Sequence, residues 1–559
     1  MDAEGTILYG LKNALAKLGI HAGEVTLSHP DELSHGDYAT SVALAAAKTA
    51  NKNPKALAEK IVEAMGEVDG VGKIEVAGPG FINFTLERGY FPSQLKRILD
   101  GADRWGRNDH VKGYKVMVEY TDPNAFKPLH IGHLMSNAIG ESLARLTAFS
   151  GADMRKANYA SDIGLNVAKG VWGAKKAKAD LTDLAALGKA YAVAHEAYEN
   201  DARAKEEIDA VNKALYEDSD AELSKIRSQG VAASLKHLYE ICDVLGTKFD
   251  YEFLESQSAP LGKELVLKNT PGVFEESDGA TVYKGEGEGL HTRVFLNSRG
   301  LPTYEAKDIG LIELKRNSFP FDLSIIVTSV EQKEYFKVVK AAAEKLFPEL
   351  KGKLMHVPHG FLTLTTGKMS SRKGNVITGE SLLEEMRAKA FEKMEVRELG
   401  EDKQAIADAV AVSAIKYRIL KQTTGKNIIF DPDASLSFEG DSGPYLQYSH
   451  VRAQAVLRKA ETEKVPATIV NYSSEPSVLE RLLYRFPEVV FRSAKESEPH
   501  YVTTYLTELA SAFNSWYAQG KIVDSSDPNS PYMVAVTKAF ATTMKNGLWL
   551  LGIQAPEKM

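Results

Sequence analysis

Two short stretches of this 559-residue chain hold the side chains that chemistry on a polyphosphate requires. The first reads Asn124-Ala125-Phe126-Lys127-Pro128-Leu129-His130-Ile131-Gly132-His133. His130 and His133 are three residues apart, so at a helix start they share one face of its first turn. Gly132 leaves space beside the backbone for a ligand. A helix N-terminus adds free N–H groups and a partial positive charge. Such a set can hold a polyphosphate, with imidazole donors at oxygens where charge builds up. The second stretch reads Gly367-Lys368-Met369-Ser370-Ser371-Arg372-Lys373-Gly374-Asn375. Its cations and hydroxyls, flanked by glycines, suit a loop that closes on phosphates. Each stretch alone has a plain alternative: two histidines at a surface turn, or a solvated basic turn.

The elements that must position these residues are legible as changes of period. Residues 115–120 read as a short strand, 121–129 as a Pro-containing loop, 131–149 as a helix and 154–159 as a second strand. Strand, loop, helix and strand over about 45 residues make a βαβ unit, hence part of a parallel sheet. Residues 165–245, rich in Ala, Lys and Glu, read as long helices inserted into that sheet. Strand signals return at 281–283, 294–296, 323–327 and 354–357, and from about Leu382 the chain reads as nearly all helical. Before the βαβ unit, helical pieces at 5–18 and 41–65 alternate with strand-like pieces at 73–76 and 80–86, a small α+β domain.

The expected architecture is therefore α/β. A parallel-sheet domain spans 111–380, with a helical insertion at about 168–248. An N-terminal α+β domain covers 1–110, a helical connecting region 381–430, and an all-helical domain 431–559. A chain of this length needs several cores of about 150 residues each.

Composition bounds the class. Hydrophobic residues make up 44% and charged residues 26%, ordinary for a soluble globular protein. There is no signal-peptide pattern and no apolar run near the ~18 residues of a membrane span. The single cysteine, Cys242, sits in the apolar run LYEICDVLG and can make neither an internal disulfide nor a multi-thiolate zinc site. A net charge of −7 excludes a uniformly basic nucleic-acid binder but not a local basic surface. A cytoplasmic, monomeric protein with no membrane contact and no protein-held structural metal is expected.

Taken together, His130-Ile131-Gly132-His133 and, about 240 residues later, the basic loop at 367–375 resemble the paired signature motifs of class I aminoacyl-tRNA synthetases. The resemblance narrows to the arginyl family through EYTDPNAFKPLHIGHLMSNAIGES (119–142), FDYEFLES (249–256), TYEAKDIG (303–310) and TSVEQKEYF (328–336). It implies a Rossmann-type catalytic domain over 111–380, activation of L-arginine by ATP, with Mg2+ carried on the ATP, and transfer to the 3′ end of tRNA(Arg). His130, His133, Lys127, Lys368 and Arg372 would be catalytic, and Gly132, Met369 and Ser370 would contact ATP. The arginyl enzymes commonly lack the second lysine of the basic motif, which is Ser371 here, and a lysine before the histidine motif compensates; Lys127 stands there.

Arginine is a planar cation with five donors, so its pocket should offer carboxylates in fork geometry. Singly, Glu255 and Asp308 read as readily as surface charges or helix caps. By resemblance, Glu255, Asp308 and Tyr304 read the guanidinium, while Asn124 and Gln332 hold the backbone end. Tyr304 and Asp308, an i,i+4 pair, can face one ligand. The string at 158–166 departs from the family at Ser161, Ile163 and Asn166, which implies altered packing near the site.

HGDYAT (35–40) and GPGFINF (78–84) resemble the N-terminal domain of arginyl enzymes that touches the tRNA elbow, and Phe81 and Asn83 suit a stacking and hydrogen-bonding contact to an unstacked base. For Phe81 a core position is an equal reading. GPYLQYSHVR (443–452) and LGIQAP (551–556) resemble the anticodon-binding domain, with Tyr445 as a tRNA contact. Residues 445–559 hold twelve Lys/Arg against eleven Asp/Glu, so charge does not predict RNA binding there. A cysteinyl enzyme with thiolate zinc ligands is disfavoured by the single cysteine. A non-enzymatic RNA-binding relative would be expected to have lost the histidines or the basic loop.

Overall fold

The structure, a computed structural model, describes residues 3–365, 378–393 and 403–559. The chain forms two compact units. One contains the residues up to Trp105 together with Ala453–Phe486 and Ala512–Thr543; the other contains Gly106–Arg452, Pro487–Ser511 and Met544–Met559.

The first unit opens with α1 (Ala3–Lys17), β1 (Tyr38–Thr40), α2 (Val42–Ala50), α3 (Pro54–Met65), β2 (Val71–Ala77), β3 (Phe81–Leu86) and α4 (Tyr90–Gly101). Its antiparallel sheet has the order β1-β3-β2. The helix expected over 41–65 is two. Asn51 takes a left-handed φ of 50° and ends α2. The Asn53 side chain then accepts from the backbone N–H groups of Lys55 and Ala56, with Pro54 in the first turn of α3.

The second unit is built on β4 (Lys115–Glu119), α5 (Ile131–Phe149), β5 (Asp153–Ala160), the helices α6 (Leu165–Ala177), α7 (Leu184–Asn200), α8 (Ala202–Glu217) and α9 (Ala221–Leu245), then β6 (Tyr251–Leu254) and α10 (Glu255–Lys268). A small antiparallel sheet follows from β7 (Glu275–Ser277), β8 (Ala280–Tyr283) and β9 (Arg293–Leu296). The main sheet resumes through α11 (Tyr304–Ser318), β10 (Leu323–Ser329), α12 (Lys333–Leu346) and β11 (Leu354–His359). Then come β12 (Leu362–Leu364), α13 (Gly379–Lys393), α14 (Lys403–Leu420), β13 (Ile428–Phe430) and α15 (Pro432–Ser435). The C-terminal helices, divided between the two units, are α16 (Gly443–Thr462), α17 (Val478–Leu483), α18 (Phe486–Glu496), α19 (His500–Tyr517) and α20 (Ser530–Leu550).

The main sheet is parallel throughout, in the order β11-β10-β4-β5-β6. Chain order therefore reverses at β4, with β5 and β6 on one side and β10 and β11 on the other. In such sheets ligands bind outside the carboxyl ends of the strands at the point of reversal. The loop after β4 is the one that carries Asn124 through His130.

Close backbone packing holds the surrounding helices in place. A Cβ on Gly140 of α5 would overlap the Tyr120 ring, and Cβ atoms on Gly170 of α6 and Gly230 of α9 would overlap Phe126. Phe126, with φ 64°, is fully buried in the apolar core of the helical insertion. It pins the loop after β4 to that insertion.

Candidate active site

The N-terminus of α5 begins at His130. His133 Nδ1 accepts from the backbone N–H of His130 at 3.0 Å, and the two rings stack with centroids 3.8 Å apart. That bond fixes a neutral His133 as the tautomer with its proton on Nε2, a hydrogen-bond donor. Burial lowers the pKa of both imidazoles, helped by Lys127 and His359 at His130, and by His130, His359 and Lys127 at His133. Both are thus neutral donors at pH 7. A Cβ on Gly132 would lie 2.8 Å from His130 Cε1, so this glycine makes room for the His130 ring as well as for a ligand. Lys127 lies with Nζ 4.6 Å from the centroid of Tyr191, and burial with the neighbouring Lys169 lowers its pKa to about 8.

The carboxylates gather beside this loop. Asn124 and Ser161 form a backbone bridge that joins the loop after β4 to the end of β5. Ser161 Oγ donates to Glu255 Oε2 at 2.9 Å. Glu255, first residue of α10, is buried, and Lys307 Nζ reaches the same oxygen at 2.6 Å. Asp308 Oδ2 accepts from Tyr335 at 2.7 Å, and burial pushes the Asp308 carboxyl up to about 8, against the pull of that bond. Asp122, in the same loop as Asn124, accepts from the backbone N–H of Tyr159 at 3.0 Å. Burial and the charge of Glu119 raise its carboxyl well above the usual range. Glu119 pairs with Lys315. Asp122 was not singled out in the sequence, although it sits two residues from Asn124.

Tyr304 and Asp308 take different partners despite their i,i+4 spacing: the Tyr304 hydroxyl accepts from Asn166 Nδ2 at 3.2 Å. Asn166 in turn accepts from the Tyr191 hydroxyl at 3.2 Å. Two of the three departures, Ser161 and Asn166, therefore make polar contacts to Glu255 and Tyr304 themselves, beyond an effect on packing. Gln332 is exposed at the start of α12.

Phe81, on β3 of the first unit, is 41% exposed, whereas Asn83 is buried. Tyr445 is half-buried in the first turn of α16. Lys368, Met369, Ser370 and Arg372 lie outside the described residues. Where the described chain resumes, Thr378 forms a bridge with His130 and the N–H of Gly379 donates to Leu129 O at 2.7 Å. Among the described residues no group of three or more His, Cys, Asp and Glu side chains is arranged to hold a metal ion. No described helix is long and apolar enough to cross a membrane.

The profile described as "tRNA synthetases class I (R), catalytic domain" matches residues 94–432, more than half of the chain. The chain belongs to the arginyl-tRNA synthetase family. Two further profiles, "Arginyl tRNA synthetase N terminal domain" and "DALR anticodon binding domain", match residues 6–86 and 446–559 of this synthetase. Its sequence is 33% identical over 546 residues to the arginine–tRNA ligase of Streptococcus agalactiae, covering 95% of each chain. It is 30% identical over 553 residues to that of Clostridium perfringens, covering 96% of each. The structure of the Thermus thermophilus arginyl-tRNA synthetase superposes with a TM-score of 0.81 at 26% identity, over 100% of both chains. The synthetase is an aminoacyl-tRNA ligase, and its family acts on arginine.

Proposed function

We propose that this arginine–tRNA ligase works through one cleft at the reversal point of its sheet. The histidines at the start of α5 would meet ATP there, and the carboxylates gathered around Glu255 and Asp308 would meet arginine. The observation that carries this reading is the Asn124–Ser161 bridge, which joins the histidine loop to the strand end that contacts Glu255. The arginine carboxylate attacks the α-phosphorus of ATP in line, forming arginyl-adenylate as the bond to pyrophosphate breaks. A ribose hydroxyl of the terminal adenosine of tRNA(Arg) then takes the arginyl group and AMP leaves. Positioning and charge stabilisation do most of this work.

His130 and His133 donate to phosphate oxygens as neutral imidazoles, and Lys127 supplies the ammonium that Ser371 does not. Lys368 and Arg372 assist, with Gly132, Met369 and Ser370 lining the nucleotide. Mg2+ enters on the ATP phosphates, held largely by them and by water. Glu255, Asp308 and Tyr304 read the guanidinium, and Asn124 and Gln332 hold the backbone end. Phe81 and Tyr445 contact tRNA from the modules 1–110 and 431–559, which flank the catalytic 111–380 and the connector 381–430; Asn83, expected beside Phe81, is buried in the sheet and is not offered to a base. The exposure of Phe81 supports a stacking role. The enzyme acts as a cytoplasmic monomer.

Aminoacylation of total tRNA, run side by side with labelled arginine, lysine, glutamine and cysteine, tests the reading. Charging with arginine alone is expected, and charging with any other in preference overturns it.

A further inference from the structure

Lys307 is a residue of the pocket that the mechanism above leaves unused. It lies between Glu305 and Asp308 on α11, yet its ammonium turns to other elements. Nζ is 2.6 Å from Glu255 Oε2 on α10 and 3.2 Å from the carbonyl of Ile163 in the turn between β5 and α6. It also lies 5.0 Å from the centroid of Tyr304, one helical turn back. The Tyr216 hydroxyl, from α8, completes the surroundings. A Cβ on Gly164, whose φ is 110°, would lie 2.9 Å from Lys307 Nζ, 3.6 Å from the Tyr216 hydroxyl and 4.0 Å from Glu255 Oε2. The glycine thus opens the space in which these groups converge, and both Lys307 and Glu255 are buried.

We propose that Lys307 is a specificity-determining positioning residue: its ammonium fills the compact-cation niche beside Glu255, so that the pocket admits a guanidinium and turns away a substrate ammonium. The inference rests on the reading of Glu255 and Asp308 as guanidinium acceptors. Two carboxylates facing a ligand, Glu255 buried and Asp308 half-buried, attract any cation, and charge alone favours lysine as much as arginine. Lys307 cancels one of those charges and, with Ser161, saturates Glu255 Oε2. What remains on offer is Glu255 Oε1 and the Asp308 oxygen that Tyr335 leaves free, acceptors on two helices that suit the several donors of a planar fork better than a single ammonium. The location best suited to an ammonium, with a carboxylate, a carbonyl, a phenol and an aromatic face around it, is already taken by the chain itself. Burial works against the charge on Lys307 and is overcome by Glu255, which together with Tyr216 raises its pKa, so the niche stays filled across the physiological range.

The experiment uses the full-length enzyme and measures arginine-dependent charging with lysine as competitor. Lys307→Ala is expected to raise the arginine KM at least roughly tenfold with a smaller change in kcat, and to lower the lysine inhibition constant by a similar factor. Added propylammonium, which matches the three methylenes and the ammonium removed, is expected to restore part of the arginine affinity and to weaken lysine inhibition again. A structural defect would move neither of those. A folded Lys307→Ala enzyme with unchanged arginine KM and lysine inhibition overturns the proposal, as does impaired arginine binding with neither lysine sensitivity nor amine rescue. Should Lys307→Ala not fold, Tyr216→Phe removes one ligand of the ammonium without changing charge. A raised arginine KM with sharper lysine inhibition supports the proposal, and wild-type values overturn it. Failure of the underlying reading looks different: Asp308→Ala would then leave arginine binding intact, whereas here that variant is impaired whatever Lys307 does.

Discussion

Asp308 is pushed up to about 8 and Lys127 lowered to about 8, which would act in opposite senses on the ligands proposed for them. Burial holds the Asp308 carboxyl up to about 8, so below that pH it carries a proton that a guanidinium must displace. Arginine itself stays charged throughout. Its affinity is therefore expected to rise as pH goes from 6 to 8 and to level off above. At pH 6.5 about one proton should be released per arginine bound, read by calorimetry in two buffers of different ionisation enthalpy. Asp308→Asn should abolish the release and raise the arginine KM by roughly 10²–10⁴-fold, with the ATP KM kept. Lys127, lowered to about 8, loses its charge above that pH, so the ATP KM is expected to climb as pH passes 8. Lys127→Arg should flatten that climb in ATP–pyrophosphate exchange with tRNA present, and Lys127→Ala should slow the exchange at every pH. At this scale the sequence offers the letters of a candidate site and not their partnerships. Successive helical residues point about 100° apart, so Lys307, adjacent to Asp308 in the chain, belongs in space to Glu255, 52 residues earlier. Nor does a sequence reveal that Asn166 is held between Tyr191 and Tyr304.

Helices α10 and α11 carry the whole set of candidate guanidinium readers, and they meet backbone to backbone. A Cβ on Gly262 would overlap the carbonyl of Ala306, and one on Gly310 would overlap that of Ser258. Gly262→Ala is thus expected to push Glu255 away from Lys307 and Asp308. The loss of stability should be on the order of 1–3 kcal/mol, seen as a lower midpoint in urea, together with a raised arginine KM. An unchanged KM would separate the packing from the site. Elements long enough to show a period were legible: the helix over 131–149 is α5, residue for residue. The four residues of β6 and the three each of β12 and β13 are too short to display an alternation. The break between α2 and α3 was spelled out by Asn51-Lys52-Asn53-Pro54, but alanines on both sides carried a helical reading across it.

Within the second unit, the end of the chain is bonded to the helix that bears the histidines. Ser142 donates to Leu550 O at 2.9 Å, and Arg145 to Trp549 O at 2.9 Å. Lys416, fully buried on α14, donates to Leu245 O at 2.7 Å and Gly552 O at 2.9 Å. Truncation before Trp549 would leave the buried Ser142 hydroxyl without its acceptor, at about 1–3 kcal/mol, and would take one acceptor each from Arg145 and from Lys416, which keeps Leu245 O. A truncated enzyme is expected to melt several degrees lower and to lose pyrophosphate exchange, including with a substrate that needs no anticodon contact, such as an acceptor minihelix. Full exchange activity at an unchanged Tm would show that the segment does not support α5. Fold class and module order were legible because local periods record them. This joint was not, since it links residues some 400 positions apart through backbone carbonyls, which carry no side-chain signature.

That joint also sets a clock on biosynthesis. Ser142 and Leu550 are 408 residues apart, an interval the ribosome covers in roughly 20–80 s at about 5–20 residues per second. Throughout that time the nascent helix carrying both histidines waits for its last supports. A chain cut before Trp549 would contain every motif letter of the site and lack the carbonyls that brace the helix behind it.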